Sequence, residues 1–102
     1  MSSVRGLVYV IKQVSYKLAC VKKNQTCEEH DLHAEQFEIL QAVNIPDWEA
    51  CSILCWDNQN CTGGWHYHVT GKLCILYLQC TPKPSKDVNN LIGDRNCHEM
   101  RK

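Results

Sequence analysis

The stretch Cys51-Ser52-Ile53-Leu54-Cys55-Trp56-Asp57-Asn58-Gln59-Asn60-Cys61, followed by Trp65-His66-Tyr67-His68-Val69 and then Cys74, decides the fold. Cys51 and Cys55 are four apart, so in a helix both thiols leave one face. Such a face can be stapled to two different places at once. Trp48 recurs at the same helical spacing, with Ala50 and Leu54 beside it. Pro46 suits a first turn, where its missing N–H costs nothing. Asp47 and Glu49 put negative charge at the positive end of the helix dipole. Asp57 to Asn60 breaks the pattern, so a helix is expected within residues 44–58.

Working outward, Thr62 to Leu78 reads as a β-hairpin. Trp65 to Val69 alternates aromatic with histidine, Thr70-Gly71-Lys72 supplies the turn through a glycine at positive φ, and Leu73 to Leu78 returns. Gly63-Gly64 suggests a bulge where the chain enters the hairpin. Gly6 to Val21 reads as a strand, with a period of two that sets Cys20 on its apolar face. Lys22 to Thr26 is a polar turn, and the charged run Glu28 to Glu35 a loop. Phe37 to Val43 reads as a short strand with Phe37, Ile39 and Gln41 alternating, although its length also allows a helix. Thr81 to Asn90, with Pro82 and Pro84, reads as a loop, and Leu91-Ile92 opens a last strand ending near Cys97. This order predicts an α+β domain, a single helix packed against an antiparallel sheet.

Eight cysteines in 102 residues are an even and dense set. In so short a chain this points to a disulfide framework and an oxidising, secreted or extracellular setting. The N-terminus lacks the sustained apolar stretch of a signal peptide, so the expectation is a mature domain or excised module. Two glycosylation triplets, Asn24-Gln25-Thr26 and Asn60-Cys61-Thr62, fit that setting. Eleven basic and eleven acidic residues give zero formal charge. There is no bulk signal for nucleic acid or anionic membranes, and weak self-association near neutral pH is expected. The longest apolar run, Leu7 to Ile11, is far too short for membrane insertion.

The order Cys51-x3-Cys55-x5-Cys61, then Trp65-His66-Tyr67, then Cys74-Ile75-Leu76, resembles the PAN/apple domain family. Cys27, Phe37 and the approach from Ile39 to Cys51 fit the family's first half, and Ile92-Gly93-Asp94-Arg95-Asn96-Cys97 its closing strand. The resemblance covers residues 27–97, leaving 1–26 as an N-terminal strand extension of the same domain and 98–102 as a tail. It implies a curled antiparallel sheet cradling the helix, and bridges Cys27–Cys97, Cys51–Cys74 and Cys55–Cys61. Cys20 and Cys80 would then form a fourth bridge. Alternatively, Cys20 takes the place given to Cys27.

The resemblance implies a non-enzymatic module that binds a protein or carbohydrate partner without cofactors. A purely structural spacer or self-assembly domain is the alternative. It also turns Trp65 and Tyr67 into the core and leaves His66 and His68 outside. His66, His68 and Lys72 are therefore the candidate ligand-binding residues, with Trp56 as an exposed ring. His66-x-His68 has the imidazoles of a zinc site, but no Cys-x2-Cys pair accompanies it, and no metal is expected. Cysteine catalysis needs a free thiolate, which an even set consumes. Glu28, Glu29, Asp31 and Glu35 read as a solvated surface rather than an acid–base pair.

Overall fold

Strand alternation at Trp65-His66-Tyr67-His68 sorts the molecule into two faces. The computed structural model describes residues 20–32 and 34–98. In chain order these form β1 (Lys22–Lys23), β2 (Gln25–Cys27), α1 (Glu28–Leu32), α2 (Ala34–Phe37), β3 (Glu38–Ala42), α3 (Trp48–Asp57), β4 (Gly64–His68), β5 (Leu73–Tyr77), β6 (Pro82–Pro84) and β7 (Asn90–Gly93). The class is mixed α+β. Among the described residues three helices are complete and only α3 is long. The strand expected over Gly6–Val21 lies outside the described residues except for Cys20, which is helical, and Val21.

Five strands form one antiparallel sheet in the order β1-β7-β4-β5-β3, while β2 and β6 pair as a separate ribbon. On one face Trp65, Tyr67, Cys74 and Leu76 pack against Cys51 and Cys55 of α3. On the other, Ile75, Tyr77 and Ile92 pack with Cys27 from the ribbon. Burial on both faces explains why β5 is apolar at every position instead of alternating.

The helix forms where its pattern indicated, but Pro46 lies outside it. Asp47 is the N-cap, its Oδ1 accepting the Ala50 N–H at 2.8 Å. Glu28–Glu35, expected as a loop, is largely helical. Its three acidic residues in the first turn suit the dipole, and the Glu28 N–H donates to Thr81 O at 2.9 Å. Phe37 ends α2 instead of starting a strand. The bulge expected at Gly63-Gly64 is found instead in β3, between Glu38 and Leu40, while Gly64 pairs in register with Tyr77. The β3 bulge puts Glu38 and Gln41, three apart, on one face, where the Gln41 amide donates to Glu38 at 2.6 Å. The stretch expected as a loop at Thr81–Asn90 contains β6. Prolines are tolerated there because the ribbon is all edge.

All eight cysteines are bridged: Cys20–Cys97, Cys27–Cys80, Cys51–Cys74 and Cys55–Cys61. The helix cysteines thus pair with β5 and with the loop before β4. Cys27 does not reach Cys97, nor Cys20 Cys80. The register gives the reason. β1 pairs Lys22 with Ile92 at the sheet margin, which brings Cys20 alongside the segment leading to Cys97. β2 lies across the opposite face and pairs Cys27 with Pro82, two residues from Cys80. In the chain-entropy model Cys20–Cys97, separated by 77 residues, stabilises by about 4.5 kcal/mol, against about 2 for Cys55–Cys61, separated by 6.

Trp65 is fully buried opposite Gly93 of β7, stacks on Trp48 of α3 with ring centroids 5.8 Å apart, and donates its indole N–H to Cys97 O at 2.8 Å. A Cβ on Gly93 would meet the Trp65 ring at 2.4 Å. Gly93→Ala must therefore displace the indole and break its hydrogen bond. The expected loss is about 2–3 kcal/mol, read as a lower urea midpoint at unchanged slope. An unchanged midpoint would show that the ring is not confined by Gly93.

Candidate functional site

Trp56 ends the exposed side of α3, and three features hold its ring and backbone. It remains 45% exposed. His98 stacks on it with centroids 4.2 Å apart, and the Arg95 guanidinium carbon lies 5.4 Å from its centroid. The last carbonyls of a helix have no partner within it, and Arg95 supplies one. Its Nη1 donates to Cys55 O at 3.1 Å, to Asn58 O and to Cys61 O at 3.3 Å, and its Nη2 to Trp56 O at 2.9 Å. Positive charge at the negative end of the helix dipole adds to this. The result is a fixed aromatic ring flanked by a guanidinium and an imidazole.

His66 is not outside. It is 6% exposed, because the β2–β6 ribbon and α1 cover the sheet face that it shares with Ile75 and Ile92. The Asn90 amide donates to Ser85 Oγ at 2.9 Å, which turns its Oδ1 toward His66 Nε2 at 2.8 Å. That fixes the Nε2–H tautomer and leaves the buried Nδ1 without a hydrogen-bond partner. His30 meets the ring edge-on at 6.3 Å, and Glu38 accepts from His30 and from Tyr77. Burial above all, then the neighbouring His30 and His68, lowers the His66 pKa, against the upward pull of Asn90 and Glu38. Burial, then Glu38, pushes the Tyr77 phenol up, so it stays a neutral donor.

Glu29, expected in solvent, is also buried. Burial alone would raise its pKa, but the Thr81 N–H and hydroxyl, at 2.7 and 2.8 Å, and the Gln79 amide at 3.0 Å overcome that and lower it. A sequence of adjacent acids gave no sign of these partners, about fifty residues away.

His68 and Lys72 flank the β4–β5 turn, at the opposite end of β4 from the Trp56 surface. Antiparallel β4 separates them: His68 pairs with Asn90 at one end of β7, and Trp65 with Gly93 at the other. Lys72, not Gly71, takes the left-handed turn conformation, at φ 50°. His68 Nδ1 accepts the Gly71 N–H at 3.0 Å, so Nε2 carries the proton shared with Asp87 at 2.9 Å. Both ring nitrogens are engaged, which makes this histidine a turn-stabilising group. The N–H of Asn89 foremost, then His68, lowers the Asp87 pKa. The structure therefore does not unite the four candidate residues. Arg95 and His98 accompany Trp56, and Asp87 accompanies His68.

Among the described residues no group of three or more His, Cys, Asp or Glu could hold a metal ion. None of the described helices is long and apolar enough to cross a membrane. A cleft of about 60 Å³ between Cys20, Cys80, Ile92 and Asp94 is far below the several hundred Å³ of a small-molecule pocket. Comparison with protein-family models, curated proteins and solved structures finds no match to this chain.

His66 gives a pH test. Its pKa in the fold lies below the ordinary 6.5, so its neutral form stabilises the protein above that pH. That contribution is lost as pH falls from 6.5 toward the lowered value. Urea unfolding at a series of pH values should show stability falling as the pH drops below 6.5. His66→Gln, which keeps an N–H donor but does not titrate, should flatten that slope. Equal slopes in both proteins would remove His66 as the cause.

Proposed function

We propose that this chain is a non-enzymatic binding module of an oxidising, extracellular setting, with PAN/apple-like architecture, and that it engages a carbohydrate or protein partner through the Trp56–Arg95–His98 surface. The observation that carries this reading is the half-exposed Trp56 ring with a stacked His98 and the Arg95 guanidinium beside it. The part of the indole that they leave open offers apolar surface to pyranose C–H groups or to an apolar side chain. Its rigidity limits the ordering entropy lost on binding. Tryptophan and arginine are also the residues that dominate binding energy at protein contacts.

Support for the family resemblance comes from the connectivity. With Cys20 in the outer place, the bridges Cys20–Cys97, Cys51–Cys74 and Cys55–Cys61 keep the nested order that the resemblance implies. The Cys27–Cys80 ribbon is an addition to that plan. Four disulfides and the absence of a free cysteine among the described residues are consistent with secretion.

A second reading, a self-assembly or spacer domain, draws on β3. This edge strand carries Leu40 at 42% exposure, with Val43 beyond it at 67%. Sedimentation against concentration separates the two: a strict monomer argues against assembly.

The binding reading is tested with oxidised, multimerised protein on a glycan array and on a panel of extracellular proteins. Trp56→Ala should lower any signal at least tenfold with little change in stability, because the ring is on the surface. Arg95 is a poor probe, since its loss also unties the end of α3. Binding that survives Trp56→Ala would move the site elsewhere, and silence on both panels would remove the binding reading.

A further inference from the structure

The two Asn-x-Thr triplets lie at opposite ends of β7 and differ in how the fold uses them. Asn24 is exposed in the turn between β1 and β2, in the left-handed conformation at φ 60°. Its backbone is fully used: the N–H donates to Asn90 O and the carbonyl accepts the Ser85 N–H, both at 2.8 Å. Its side-chain amide makes no hydrogen bond among the described residues. On β2 the buried Cys27 faces the sheet, so by alternation Thr26 points away from it. The Thr26 hydroxyl is likewise unengaged among the described residues. In the Asn60 triplet the middle residue, Cys61, is fully buried and bonded to Cys55, and the Thr62 hydroxyl donates to Leu78 O at 2.8 Å. The Cys55–Cys61 bond ties this triplet into a loop whose closure costs little entropy.

We infer that Asn24 is an N-glycosylation site and that Asn60 is not. The inference rests on the reading of this chain as a product of the secretory compartment, which supplies the transferase and a polyprenyl-diphosphate-linked oligosaccharide. Asn24 Nδ2 forms a bond to C1 of the first sugar. The C1–O bond to the diphosphate breaks, the diphosphate leaves with the bonding pair, and Nδ2 gives up one proton to the transferase. The native turn holds Asn24 by its backbone alone, so the added sugar displaces nothing.

Its position also has a consequence for the surface. Asn24 sits beside β1, the margin of the sheet opposite β3, where Lys22 and Lys23 are exposed. A glycan there shields that margin, an edge among the described residues, from pairing. It also stands at the Asn90 end of β7, next to His68, and leaves the Trp56 surface at the other end uncovered. A glycan on Asn60 would instead crowd Arg95, whose guanidinium binds the flanking Asn58 and Cys61 carbonyls.

The test is expression of the full chain behind a cleavable leader in a eukaryotic cell, with total extract and medium compared before and after endoglycosidase. Wild type should show a one-glycan shift that the enzyme removes. Asn24→Gln and, independently, Thr26→Ala should lack that shift, and Asn60→Gln should keep it. Thr26→Ala leaves the strained Asn24 turn untouched, so its result does not depend on tolerance of glutamine there. No removable glycan on wild type, or a shift that survives both substitutions, would overturn the inference. In that event the thiol count of the secreted protein decides the underlying reading separately: no free thiol leaves the oxidising compartment standing, and free thiols remove it.

Discussion

The indole of Trp65 is the part on which the rest of the structure depends. It fills the space that a residue without Cβ, Gly93, leaves on the neighbouring strand. It stacks on Trp48 from α3, and its N–H reaches the carbonyl of the cysteine that closes the chain onto Cys20. Helix, central strand, last strand and terminal bridge therefore meet on one side chain. A ring so enclosed cannot shift without moving all four, because packed interiors leave no room for compensating rearrangement.

Around that point the sheet is buried twice. α3 covers one face, and the β2–β6 ribbon with α1 covers the other. The second cover turns His66 from a surface residue into an interior one and sequesters Glu29. A helix-covered sheet with one open face would have left both in water. The polar groups that result are answered by distant partners: Asn90 for His66, Thr81 and Gln79 for Glu29. Among the buried side chains of the described residues, only His66 Nδ1 is left unanswered.

Local patterns made the first cover legible, and the second was not. Spacing located α3 and its two thiols on one face, alternation located β4, and the family resemblance turned its Trp65 and Tyr67 inward. The ribbon left no such trace, because a three-residue strand with proline at both ends carries no periodicity and its partner strand lies far away in sequence. Missing the ribbon exchanged the partners of Cys20 and Cys27, since sequence alone cannot say which of two nearby cysteines crosses the sheet. At the candidate surface Trp56 could be named, but Arg95 and His98 could not. They arrive only when the last strand returns beside the end of the helix, about forty residues on.

The Cys20–Cys97 bridge also gives the molecule a mechanical character. The Cα atoms of Cys20 and Cys97 lie 5.6 Å apart, joined covalently, with 77 residues of separation behind the bond. A pull applied between these two residues passes through sulfur and bypasses the sheet and helix between them. The packing of Trp65 bears none of that load. Between Cys20 and Cys97 the chain therefore transmits tension as a short inextensible link. Cutting the bond, with the inner bridges also open, would release a reserve of up to about 260 Å of extended chain.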